Sequence, residues 1–498
     1  MQDNRRSPYS LQFFIQKANL FSNLRHNRPH FWTRIQQNSQ PSNLALRLHR
    51  LPSHQKHDAH SKDPQKNNHR PFHALMTEPR TQWSVLNSFA PSFYISQQMA
   101  FSRLLPLFVF TCQAAMAADW LNWRGPNLDG VSAESIPEDL PKQLPVAWTR
   151  NVGIGFCTVS VVGNRVLTMG NKDDQDTIWC LDANSGEVLW KHTYDCELDP
   201  LYYEGGPGGT PTIHEGSVYT LSKKGHAFRL DLETGEVLRD RNLVSDHDLE
   251  LPEWSFACSP VIDGENILYN VGRQGLALAR ETGETVWFPD NDTSGYASFV
   301  PFSHPETGTT HLLFSAKSIM GINSKDGSKT WEVLWKSSRD VNAADPVIIS
   351  PNEFVVSSSS GTSLISLASG KPETVWEQKD LKWYFNPGVH IDGYLYSLHG
   401  TTHRPTELIC TDASTGETVW LQEGFGSGGL MSTESKVILF DQGTLTIFKA
   451  NPKEFQPVHR QKILEGKCWT SPVLSNGNIY CRNAEGDVAC VRLESTDG

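Results

Sequence analysis

Aromatic and acidic residues recur together in this chain, each time shortly before a proline. Tyr202-Tyr203-Glu204, Glu253-Trp254, Tyr296, Trp383-Tyr384 and Trp469 precede Pro211, Pro260, Pro301, Pro387 and Pro472. The residues immediately before such prolines, Thr210, Ser259, Asp345, Asn386 and Ser471, carry hydroxyl, carboxyl or amide groups. Aromatic faces beside carboxylates suit a stacked ligand, a carbohydrate or a peptide. The competing reading is plainer, because aromatic side chains carry large apolar areas that usually end up packed.

Other chemical signals are weaker. Asn171-Lys-Asp173-Asp174-Gln175-Asp176 has oxygen ligands for calcium but lacks the glycine and distal glutamate of a binding loop, so it reads as a solvated hairpin tip. Gly205-Gly206-Pro207-Gly208-Gly209 looks phosphate-friendly, yet no Lys-Ser/Thr follows it. His214, His390 and His399 show no metal spacing and no Ser/Asp partner, and are assigned to structure or surface. No metal site is expected.

A repeated phrase supplies the elements that position these residues. It reads Asp182-Ala-Asn-Ser-Gly186-Glu187-Val-Leu-Trp190 and Asp412-Ala-Ser-Thr-Gly416-Glu417-Thr-Val-Trp420, with copies around Gly235, Gly283, Gly327 and Gly370. These glycines step by 49, 48, 44, 43 and 46 residues. Such a period means stacked copies of one supersecondary unit. Residues 210–238 resolve into short alternating strands divided by Gly-containing turns, which makes the unit four-stranded. Eight units follow from Cys157 onward, the seventh (428–460) without its Gly-Glu turn. An all-β, eight-bladed β-propeller is therefore expected, with an open solenoid as the alternative. The last unit lacks room for a fourth strand, so a spare strand at about residues 145–152 should complete it. The tryptophan ending each phrase should pack between blades.

The chain divides by charge into residues 1–98, net +9, and the remainder, net −20. The basic part has no repeat. A nucleic-acid tail is one reading, but Met99-Ala-Phe-Ser-Arg103, the apolar run 104–110 and Ala115-Met-Ala117 have the parts of a secretory signal cut after Ala117. Translation is thus expected to start at Met99, with 1–98 a disordered extension of a mispredicted start. Residues 118–144 then form a leader and 145–498 the propeller. The apolar run is too short to span a bilayer, so an exported protein, periplasmic or extracellular, without nucleic-acid partners and monomeric, is expected. Thr111 and Phe110 fit poorly before a lipid-modified Cys112. The eight cysteines beyond Ala117 are open to disulfides or to buried thiols, and Cys481 and Cys490 flank one turn closely enough to face each other.

The Asp-x-x-Thr/Ser-Gly-Glu-x-x-Trp phrases resemble the pyrroloquinoline-quinone-type β-propeller repeat family over residues 146–494. That resemblance implies two classes of function. One is quinone-dependent alcohol and sugar dehydrogenase activity; Trp123-Arg124-Gly125-Pro126-Asn127 is similar to the leader of polyvinyl-alcohol dehydrogenase-like sequences. For this class the resemblance implies pyrroloquinoline quinone with calcium, Asp345 or Glu253 as base, and Asn386, Trp254, Trp383 and Trp469 at the cofactor. The other class is the cofactor-free propeller subunit of the outer-membrane barrel-assembly machine, which binds proteins. The chain lacks the adjacent cysteine pair of many alcohol dehydrogenases and shows no calcium motif. The leading expectation is therefore a non-catalytic scaffold that binds envelope proteins, peptides or polysaccharides on its top face, with no cofactor. The quinone-dependent dehydrogenase is the alternative.

Overall fold

The computed structural model describes residues 118–400 and 406–493, all within one compact unit. Segments 1–98 and 99–117, including Cys112 and the cut after Ala117, lie outside the described residues.

Eight four-stranded antiparallel sheets form the eight blades. Seven are consecutive in sequence, from blade 1 (Ser160–Val162 to Val188–Asp195) to blade 7 (Gly428–Ser432 to Gln456–Lys462). Blade 8 takes three strands from the end of the chain and its fourth from the expected spare strand, β1 (Val146–Asn151). Trp148 pairs with Cys490 and Asn151 with Asp487, which closes the ring. Blade 7 pairs normally although it lacks the Gly-Glu phrase, because Val437, Ile438, Leu439 and Phe440 are fully buried and hold the sheet by packing.

The repeated phrase is a docking device. Trp190 Nε1 donates to the Leu232 carbonyl of the next blade at 2.9 Å, and Trp287, Trp376 and Trp420 repeat the bond to Ser324, Ala413 and Asn451. Trp148 does the same for the closing strand, donating to Ala183 O at 2.9 Å. Except at Trp420, whose next blade lacks the phrase, the next blade's phrase glycine lies against the indole. A Cβ on Gly186, already at φ +69°, would sit 2.6 Å from the Trp148 ring, so both conformation and space demand glycine there. In blade 2 an arginine takes the tryptophan's place: Arg239 packs on Gly283 and donates to Glu281 O.

The cysteines of the described residues are all buried free thiols. Cys481 lies opposite Ala489 and Cys490 opposite Tyr480. Directly opposed residues share a face and neighbours alternate, so the two sulfurs point to opposite faces of blade 8. The sequence spacing suggested a pair; the register forbids it.

Candidate functional site

The segments that lead into the first strands gather at one end of the axis around a cavity of about 760 Å³. Its wall is aromatic. Ring centroids run Tyr203–Phe156 5.3 Å, Phe156–Trp469 5.6 Å, Trp469–Phe385 5.2 Å and Phe385–Tyr384 4.4 Å, a continuous belt drawn from several blades. Trp254 and Tyr296, 6.2 Å apart, continue it on another side.

The residues before the prolines do reach the axis, but as hooks between blades. Thr158 N donates to Thr210 Oγ1 (3.2 Å), Thr210 N to Ser259 Oγ (2.9 Å), Ser259 N to Ser298 Oγ (2.9 Å) and Ser298 N to Asp345 Oδ1 (2.8 Å). Asn386 Nδ2 donates to Gly428 O and Trp469 O, and Thr158 Oγ1 to Ser471 O. Each hook satisfies a buried main-chain group that no strand reaches.

The mouth is charge-balanced rather than acidic. Arg339 pairs with Glu253 at 2.6 Å and lies over the Tyr202 and Trp254 rings. Lys467 pairs with Glu204 at 2.7 Å and lies 4.4 Å from the Trp469 ring centroid. The cations line the cavity, whereas their carboxylates do not. Glu253 is thus an ion-pair partner on the rim. Four rim residues hold left-handed backbone: Tyr202 (φ 64°), Ser255 (64°), Arg339 (57°) and Asp340 (55°). Left-handed residues also hold turns elsewhere, such as Asp173 (φ 55°) and Asp392 (50°), so these mark tight loops. Trp383 is absent from the wall. It is fully buried in the core between blades 5 and 6, and its Nε1 has no partner. The irregular segment turns Tyr384, Phe385 and Asn386 to the cavity and Trp383 inward.

Asp345 is the one carboxylate of the wall among the described residues, and it is 2% exposed. Burial pushes its carboxyl up to about 6, opposed by the nearby Arg124 guanidinium and by bonds from Ser298 N and Trp123 Nε1 (2.6 Å). Trp123 and Arg124 belong to the leader, whose place in the site the sequence did not disclose. Arg124 is itself buried and donates to Leu128 O, Asp129 O and Gly388 O.

The residues at hand do not fit calcium. A hard cation takes six to eight oxygens. Both Asp345 oxygens already accept hydrogen bonds, and no group of three or more His, Cys, Asp or Glu is placed for a metal among the described residues. No described helix is long and apolar enough to cross a membrane.

Arg339, Lys467, Phe156 and Phe385 were missed from sequence. Arg339 and Lys467 fall in the same inter-blade segments as the aromatics, which was the available signal.

Comparison with solved structures finds BamB from Moraxella catarrhalis (13% identity, TM-score 0.52, covering 72% of this chain and 99% of that one). It also finds the quinohemoprotein alcohol dehydrogenase from Comamonas testosteroni (13%, 0.58, 76% and 81%) and a europium-containing methanol dehydrogenase (12%, 0.55, 75% and 89%). At these identities the likeness is one of fold. No curated protein matches the chain. The profile described as "Outer membrane protein assembly factor BamB" matches residues 142–246 and 174–422, together more than half of the sequence. The chain therefore belongs to that family of β-propellers.

Proposed function

We propose that this propeller is a protein-binding module that receives part of a partner polypeptide in the axial aromatic cavity. The carrying observation is the use of its polar groups. Asp345, Asn386, Ser259 and Thr210 are committed to inter-blade bonds, while the aromatic belt presents a large apolar wall. A cavity of this size, apolar with a few placed charges, is built for binding. The family's description as an outer membrane protein assembly factor favours a polypeptide ligand over a polysaccharide. Work outside the cytoplasm belongs to the same reading and rests on the signal-like segment Met99–Ala117.

The test is affinity for an arrayed 12-residue peptide library. A Trp254→Ala/Tyr384→Ala/Trp469→Ala variant should lose at least about tenfold in affinity for the best binders, since aromatic anchors carry most interface energy. Binding unchanged from wild type would sink the reading.

One observation favours quinone-dependent alcohol oxidation as a second reading: a carboxyl raised to about 6 in the main cavity is poised as a base. The donor set described above argues against it. Titration with pyrroloquinoline quinone, with and without calcium, should show no calcium-dependent saturation. Tight calcium-dependent binding would reverse the order of the two readings.

A further inference from the structure

The leader crosses the axis of the propeller. Ser475 Oγ of blade 8 donates to Ala118 O, Trp120 forms a bridge with Val161 of blade 1, and Ile213 N of blade 2 donates to Leu121 O. Two residues later Trp123 reaches Asp345 of blade 5, and Arg124 reaches Gly388 O before blade 6. Leu128 packs into the core of blades 3 and 4, while Ser432 N of blade 7 donates to Gly130 O. Leu128 and Gly130 thus touch opposite sides of the ring. Two residues span about 7 Å at most, so this is only achieved where the blades converge. The leader is a plug, and Trp123, which lines the cavity, is its inner surface. The cavity is therefore blind: a polypeptide cannot thread through it.

A blind cavity admits an end of a chain. Two observations select which end. The cations Arg339 and Lys467 face the cavity, whereas Glu253 and Glu204 do not. Each cation uses one hydrogen-bond donor on its carboxylate and has others to spare, five being available on a guanidinium and three on an ammonium. The remaining carboxylate of the wall, Asp345, is turned to Trp123 and Ser298.

We propose that the cavity captures the free carboxyl terminus of a partner polypeptide. The partner chain bends at the mouth so that the side chain of its last residue reaches toward the Trp123 floor and the aromatic belt, while its carboxylate stays at the mouth and is met by Arg339 or Lys467. This rests on the protein-binding reading and narrows it to one segment of the partner.

The test uses the whole protein and dye-labelled random tetrapeptides, each made as the free acid and as the C-terminal amide, together with head-to-tail cyclic hexapeptides. Fluorescence anisotropy should show the acids binding at least about tenfold tighter than the amides. An Arg339→Gln/Lys467→Gln variant, altered at exposed or half-exposed positions, should erase that difference. Trp123→Phe should keep the preference for acids, and Trp123→Ala should weaken acids and amides alike. If amides or cyclic peptides bind as well as acids, capture of a carboxyl terminus is overturned while peptide binding stands. If free amino termini decide affinity, the proposal is likewise overturned. If no peptide of any form binds, the protein-binding reading falls with it.

Discussion

Asp345→Ala is expected to destabilise the propeller by about 2–5 kcal/mol, since it strands two hydrogen-bond donors at about 1–3 kcal/mol each. The substitution leaves the Trp123 indole N–H and the Ser298 amide without acceptors and removes the carboxylate facing buried Arg124. Urea midpoints of the two proteins measure it. A loss below about 1 kcal/mol would show that the leader does not depend on this anchor. The same carboxyl should also make stability depend on pH. Its folded value of about 6 lies above the ordinary 3.8. Between pH 4 and 6 the unfolded chain has released the proton while the folded chain still holds it. The folded state then binds more protons, so stability falls as pH rises through that window and levels off above it. The displacement corresponds to about 3 kcal/mol. Asp345→Asn should flatten this segment of the curve relative to wild type; parallel curves would mean that the carboxyl titrates normally.

Trp148→Ala is expected to cost a further class of stability, about 3–5 kcal/mol for a buried tryptophan. Trp148 is 8% exposed, seals the face of Gly186 and is hydrogen-bonded to Ala183. It sits on the strand that closes the ring, whose partners lie more than 300 residues away in sequence. Closing so long a loop costs on the order of 5 kcal/mol in chain entropy, and the clasp must offset it. Loss of the clasp bares the edge of the strand Asp487–Arg492, and bared edges pair with other chains. Light scattering should therefore show association of the variant at temperatures where wild type stays monodisperse. Trp148→Phe keeps the burial and loses the bond to Ala183, about 1 kcal/mol, and should not associate.

The fold was legible because its information is local and repeated. The Gly-Glu-x-x-Trp phrase shows the turn, the strand after it and the side chain that docks the next blade, and six copies, full or partial, agree on the period. The closing strand was legible from a count, since blade 8 was one strand short. Blade 7 was harder: it dispenses with both phrase and proline and is held by apolar strands alone.

The site was half legible. Aromatics ahead of the prolines do converge, because a propeller brings equivalent segments to one end. Their charge was misjudged. Glu204 and Glu253 looked acidic in isolation, but Lys467 and Arg339 lie 263 and 86 residues away in sequence and come beside them only by ring closure. Trp383 was placed with its neighbour Tyr384, but the segment is irregular and packing between blades 5 and 6, which no local pattern announces, draws Trp383 inward. The leader was invisible as a plug. It has no periodicity, and its contacts with Asp345, Gly388 and Ser432 are dictated by the far side of the ring.

The plug and the clasp are one continuous stretch, residues 118–151, and both are seated on blade 8. Glu134 accepts from Asn476 N and Gly477 N, Ala118 O accepts from Ser475, and β1 pairs with Asp487–Val491. The cavity's floor is laid by the first part of the propeller to be synthesised, and its seat is complete only when the last blade exists. An unfinished chain has the wall and most of the floor's supports, but lacks the partners that blade 8 gives to Ala118, Glu134 and β1. The first residues of the propeller to be made are thus the last to find all their partners.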